Sequence, residues 1–130
     1  MRLLLATFVV SSLLALFAGK TFAQDVDAGQ KSFNKCRACH TVGEAAKNGV
    51  GPQLNGLFGR KAGTVDGFKY SKANQESAVV WDETNFATYI KDPRAFMPGN
   101  QMTFLGIKND KEIQDLIAFL KQYDASGKKK

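Results

Sequence analysis

Cys36-Arg37-Ala38-Cys39-His40 decides how this 130-residue chain is to be read. It contains both cysteines and the only histidine of the sequence. A C-x-x-C-H spacing puts two thiols on one turn of helix with an imidazole directly after them. Each thiol can then reach one vinyl group of a porphyrin and form a thioether, and the imidazole is placed under the iron as proximal ligand. The pattern therefore reads as covalent attachment of one haem c through Cys36 and Cys39, with His40 on the metal. Three other uses compete. A thioredoxin-like pair wants a βαβ context and a strand before the first cysteine, whereas Cys36 follows helix signals and precedes glycine-rich sequence. A zinc site wants four ligands, and a carboxylate would have to come from elsewhere. A plain disulfide between Cys36 and Cys39 would constrain little of the chain and leaves His40 without a role.

N-terminal to the motif, Asp25 or Asp27 can cap a first short helix running to about Lys35, with Phe33 on its inner face. Earlier still, Arg2 precedes an uncharged apolar stretch from Leu3 to Ala18, and Thr21-Phe22-Ala23 ends in the small residues a signal peptidase reads. Residues 1–23 therefore read as a secretory signal peptide cleaved before Gln24, leaving an exported domain of residues 24–130. The apolar run is shorter than the ~20 residues of a spanning helix, so stable membrane insertion is not expected.

C-terminal to the motif, Gly43, Gly49, Gly51, Gly56, Gly59, Gly63 and Gly67 interrupt any regular period as far as about Lys69. So long a loop in a small domain is expected only where it is functional, here by wrapping a ligand. A short helix is plausible over Ser71–Glu76. Asp82 caps another, carrying Phe86 and Ile90, until Asp92-Pro93 stops it. Asn109 or Asp110 caps the last, in which Ile113, Leu116, Ile117 and Leu120 share one face and Phe119 and Tyr123 widen it. The expected fold is all-α and single-domain, with long loops around one covalent haem that supplies part of the core.

The sixth position on the iron cannot be a second histidine. Met97 and Met102 remain; Met97, between Phe96 and Pro98, reads as a packing residue. Met102 follows the Pro98-Gly99 turn, where backbone can lie against a haem edge, and is the expected thioether ligand. With both axial positions filled, outer-sphere electron transfer remains and catalysis at the metal does not. The chain is expected not to be an enzyme. The alternative is a haem peroxidase-like or gas-binding protein with a labile Met102, which would need a distal acid–base group.

The formal charge is +6, from 18 basic and 12 acidic residues; removing residues 1–23 takes Arg2 and Lys20 and leaves about +4. That balance, with no arginine-rich run, excludes a nucleic-acid binder and suits an acidic protein partner. Lys128 to Lys130 read as a solvated terminus.

The sequence resembles the class I cytochromes c, most closely the bacterial cytochrome c2 and mitochondrial cytochrome c group. The likeness rests on the attachment motif and, in order, on Gly51-Pro52-Gln53-Leu54-Asn55-Gly56-Leu57-Phe58-Gly59-Arg60-Lys61, Gly67-Phe68-Lys69-Tyr70, Ala73-Asn74, Trp81, Tyr89 and Asp92-Pro93. It continues through Pro98-Gly99-Asn100-Gln101-Met102-Thr103-Phe104 and Asp115 to Leu120. The resemblance implies that the Pro52 carbonyl accepts from the His40 ring and that Arg60, Tyr70 and Trp81 bond the haem propionates. It implies a polar network of Asn74 and Tyr89 beside Met102, and packing of Gly29 and Phe33 on Leu116 and Phe119. Phe104, with Lys35, Lys47, Arg94 and Lys108, would form the contact surface at the haem edge. Asn100 stands where the family commonly has threonine; Gln101 and Ala95 replace lysines. The implied function is that of a monomeric electron carrier. Its partners would be acidic redox proteins, such as a quinol–cytochrome c reductase and a terminal oxidase or photosynthetic reaction centre.

Overall fold

The computed structural model describes residues 22–130; the apolar run of the expected export segment lies outside the described residues. Five helices are present among them: α1 (Val26–Phe33), α2 (Lys72–Gln75), α3 (Glu83–Lys91), α4 (Pro93–Phe96) and α5 (Asp110–Lys121). Extended pairing is limited to isolated bridges between Lys61 and Val80 and between Tyr123 and Lys129. The all-α expectation holds.

Helix starts follow the side-chain caps. Asp25, Ser71, Asp82 and Asn109 each accept a backbone N–H from the first turn of the helix they precede, satisfying donors that have no intrahelical partner. At α3 the exchange is reciprocal, because Asn85 also accepts from the Asp82 N–H. α1 ends at Phe33, short of the expected Lys35, because the chain tightens into turns: Cys36 N bonds Phe33 O at 2.8 Å and His40 N bonds Cys36 O at 2.9 Å. α4 was not anticipated. Asp92 ends α3 and also caps α4, its carboxylate accepting from Ala95 N at 3.1 Å. Pro93, at the first position of α4, has no N–H to leave unpaired.

The framework is α1 packed on α5, with α3 against α5 and α4. The four residues that share a face in sequence, Ile113, Leu116, Ile117 and Leu120, are the most deeply buried apolar side chains. Gly29 brings the two backbones together: a Cβ there would stand 2.8 Å from Phe119 Cβ and 2.6 Å from the Asp115 carbonyl carbon. Phe33 and Phe119 meet with ring centroids 5.2 Å apart. Asp115, only 4% exposed, accepts from Asp25 N at 2.8 Å and from Lys111 Nζ at 2.6 and 2.7 Å. A buried carboxylate is tolerable only with such partners.

The tail is solvated, as its lysines suggest, yet its backbone is bonded. Although Lys128 to Lys130 are exposed, their backbone turns back on α5: Asp124 N bonds Lys128 O and Lys130 N bonds Gln122 O, both at 2.9 Å. The Asp124 carboxylate accepts from Ser126 N at 2.8 Å and Lys128 N at 3.0 Å. Gly127, at φ +83°, makes this turn and sits on the Gly43 carbonyl. Asn55 bonds both the N–H and the carbonyl of Gly43, at 2.8 and 2.9 Å. The tail thus braces the loop that follows the cysteine motif.

Candidate functional site

The loops enclose a cavity of about 260 Å³ whose lining draws on nearly every segment of the chain. Cys36, Cys39 and His40 enter from the turn after α1, Pro52 and Arg60 from the glycine-rich loop, and Tyr70 and Asn74 from around α2. Trp81 precedes α3, Tyr89 lies within it, and Met102 and Phe104 follow α4. The walls between are apolar, among them Leu57, Phe86, Ile90, Leu116 and Leu120. All ten residues read as haem-contacting thus face one space. Met97, read as packing, is 6% exposed in the core and does not line it.

His40 is held in one tautomer. Its Nδ1 lies 2.7 Å from the Pro52 carbonyl oxygen. A carbonyl can only accept, so Nδ1 carries the proton and Nε2 keeps its lone pair. Burial, with a smaller push from the Arg60 charge, holds the imidazolium form below the ordinary range, against the opposing Pro52 bond. The ring is therefore neutral and basic at Nε2. Gly51 lies directly beneath it: a Cβ at residue 51 would stand 2.7 Å from Nδ1 and 2.8 Å from Nε2. No sequence signal beyond the Gly51-Pro52 pair marks that role.

Both cysteines are free and half-buried. Burial pushes the Cys36 thiol up to about 11, so it is protonated at neutral pH. That is the opposite of a thioredoxin nucleophile, whose value is lowered. The described residues contain no cluster of three or more His, Cys, Asp or Glu able to hold a metal ion. The thioredoxin and zinc readings lose their support.

Across the cavity lining, the Tyr89 hydroxyl donates toward Met102 Sδ at 3.7 Å. Burial pushes Tyr89 up to about 12, so the hydroxyl keeps its proton. Asn74 does not join this pair: its Nδ2 bonds Ser71 Oγ at 3.2 Å. No direct bond joins Asn74 to Tyr89, the pair implied by the resemblance. Arg60 donates from Nη1 to the Gln53 and Asn55 carbonyls, both at 3.1 Å. Burial lowers its pKa, and the two carbonyls supply partners for the buried guanidinium. The Tyr70 hydroxyl accepts from Val65 N at 3.2 Å and has its own proton to give. Trp81 is 8% exposed, with its ring 4.9 Å from that of Tyr89.

These residues fit a haem c on the chemistry of their donors. Two thiols, an imidazole with a free Nε2, a thioether and an apolar slot converge, with arginine and tyrosine donors at one part of the lining for the propionates.

The proposed contact residues divide. Lys35 and Phe104 line the cavity. Lys35 is paired with Glu112, and Lys108 donates to the Lys91 carbonyl beside the Lys91–Asp110 pair. Arg94 is exposed on α4. Lys47 lines a separate polar cleft with Asp66, Asp124 and Lys130. Sequence reading passed over Val50 and Leu105, which are 78% and 81% exposed; Val50 borders the cavity and Leu105 follows Phe104.

Comparison with known proteins gives the chain a family. The family model described as cytochrome c matches residues 26–124. A cytochrome c2 of Rhodoplanes tepidamans is 61% identical over 107 residues, 82% of this chain and 100% of the relative. A cytochrome c2 of Blastochloris viridis is 46% identical over 129 residues, 99% of this chain and 98% of the relative. Cytochrome c-550 of Nitrobacter winogradskyi is 54% identical over 106 residues, 82% and 97%. Among solved structures, cytochrome cH from Methylobacterium extorquens superposes with a TM-score of 0.71 at 42% identity, covering 75% of this chain and 98% of that one.

Proposed function

The chain belongs to the cytochrome c family, and from that premise we propose that it is a periplasmic carrier of single electrons between membrane redox complexes. Cys36 and Cys39 would hold one haem c by thioethers, and His40 Nε2 and Met102 Sδ would ligate its iron. The bound group supplies an iron that gains and loses one electron. The observation that carries this function is the matched preparation of the two donors. The Pro52 carbonyl fixes the His40 ring with Nε2 free, and the Tyr89 hydroxyl directs a proton at Met102 sulfur. Such outer partners orient ligands and tune their donor strength.

The rest of the cavity lining divides its roles. The apolar walls exclude water, so little solvent reorganises when charge changes. Arg60, Tyr70 and Trp81 receive the propionates, whose burial would otherwise be costly. With both donors on the iron no position would be open to a substrate, which suits a carrier and not an enzyme. Lys35, Arg94, Lys108 and Phe104 meet an acidic partner such as a quinol–cytochrome c reductase, a terminal oxidase or a reaction centre. Lys47, on the other cleft, contributes long-range charge only.

Export is supported by length: the Rhodoplanes cytochrome c2 is matched in full by 107 residues, as many as remain after cleavage before Gln24. The described residues include no helix long and apolar enough to cross a membrane.

Protein purified from a periplasmic fraction tests this directly. The expected result is a mass of residues 24–130 plus one haem, a far-red sulfur-to-iron band in the oxidised state, and turnover between a quinol–cytochrome c reductase and an oxidase. Colourless protein overturns the assignment. Carbon monoxide binding to the reduced form would favour the gas-binding alternative.

A further inference from the structure

We propose that Asn100 is the residue that positions Met102, its carboxamide clasping α4 with one end and the Met102 backbone with the other. The Asn100 Nδ2 donates to the Pro93 and Met97 carbonyls, both at 2.8 Å. Its Oδ1 accepts the Met102 N–H at 2.9 Å, and its own N–H bonds Met97 O at 3.1 Å. An amide has two N–H donors and an acceptor at opposite corners of one plane, and here all three are used. The anchor end is fixed, because Pro93 and Met97 are both buried.

An ordinary side-chain turn needs only the Oδ1 bond to the residue two positions on. The two donor bonds go further, reaching back across the Pro98-Gly99 turn to join that turn to a separate helix. Met102 is thereby held twice. Tyr89 on α3 addresses its sulfur, and Asn100 fixes its backbone to α4. Threonine, common at this position in the family, has one hydroxyl and cannot make all three bonds. The neighbouring Gln101 turns the other way, Nε2 donating to Lys69 O at 2.9 Å, and does not touch the Met102 backbone.

This inference rests on Met102 being an iron ligand. A looser loop leaves that position open more often, so an added ligand binds with an affinity raised by the open fraction. Oxidised holoprotein is titrated with imidazole while the far-red sulfur-to-iron band is followed, alongside the reduction potential. For Asn100→Ala, loss of three hydrogen bonds is expected to tighten imidazole binding at least roughly tenfold, with a weakened band and a lower potential. Asn100→Thr is expected to recover part of the loss, and Gln101→Ala to stay near wild type.

Wild type lacking the band removes Met102 as ligand and this inference with it. Wild type with the band, but an Asn100→Ala variant unchanged in band and imidazole affinity, overturns the inference alone. If the alanine variant does not accumulate, hydrogen exchange on wild type decides. The Met102 amide is expected to be protected, and exchange at the rate of an open loop refutes the clasp.

Discussion

Replacing Gly29 by alanine sets two effects of opposite sign against each other. Alanine is the better helix former by about 0.8–1 kcal/mol, so helix propensity alone predicts a more stable protein. The structure predicts the reverse. The new Cβ would lie 2.8 Å from Phe119 Cβ and 2.6 Å from the Asp115 carbonyl carbon, where carbon atoms normally rest about 3.5–4.0 Å apart. α1 must retreat by roughly 1 Å, and overpacking of that kind costs about 1–3 kcal/mol. The retreat also stretches two hydrogen bonds across the interface, Asp25 N to Asp115 Oδ1 at 2.8 Å and Ser32 Oγ to Glu112 Oε1 at 2.7 Å. Each contributes about 0.5–1.5 kcal/mol. The net expectation is a loss of about 3 kcal/mol after the propensity gain is deducted. In a domain of this size that lowers Tm by about 12–24 °C. Guanidinium unfolding of the holoprotein measures it, as a fall in midpoint at unchanged slope, with exposed Gln30→Ala on the same helix as control. A Gly29→Ala protein as stable as wild type, or more so, refutes the close approach of α1 and α5.

Three further outcomes can be checked. Tyr89→Phe deletes the O–H aimed at Met102 sulfur; the sulfur becomes a stronger donor to oxidised iron, and the reduction potential is expected to fall by on the order of 30 mV in a voltammetric titration. Glu112 has its carboxyl pKa held below the ordinary 4.5, first by the Lys35 hydrogen bond and then by Ser32. A lowered native value gives stability that is complete above pH 4.5 and drains as pH falls through that value. Glu112→Gln is therefore expected to be less stable at pH 7 and to show a flatter acid limb in unfolding measured from pH 7 to pH 3. Gly127→Ala adds a Cβ at φ +83°, 2.7 Å from Asn55 Nδ2. It is expected to cost about 2 kcal/mol and to speed hydrogen exchange at the Gly43 amide.

What could be read from sequence divides along the range of the forces involved. The caps of α1, α3 and α5 were legible because a capping side chain acts within three residues of itself. The buried face of α5 was legible because its period is written in neighbouring positions. The set that lines the cavity was legible chiefly through resemblance, since nothing local in Arg60, Tyr70 or Trp81 says that loops separated by tens of residues converge. α4 was missed because four residues carry no period, and because Asp92-Pro93 was read only as an ending when it is also a beginning. Lys128 to Lys130 are solvated as their charge suggests, but charge says nothing of the backbone, which Gly127 folds back. The clasp of Asn100 depends on carbonyls at Pro93 and Met97, and backbone acceptors look alike in every sequence. Resemblance and charge group Lys47 with Lys35, and the fold puts them on different clefts.

The contact between α1 and α5 has a consequence for how the polypeptide comes into being. Asp25 and Asp115 lie 90 residues apart, so the first helix has no surface to rest on until the last has been synthesised. Closing a loop of that length costs about 4 kcal/mol of chain entropy, recovered only when the whole interface assembles. A nascent chain therefore stays open while it is being made. For a chain exported as proposed above, that open state is the one that would have to cross the membrane.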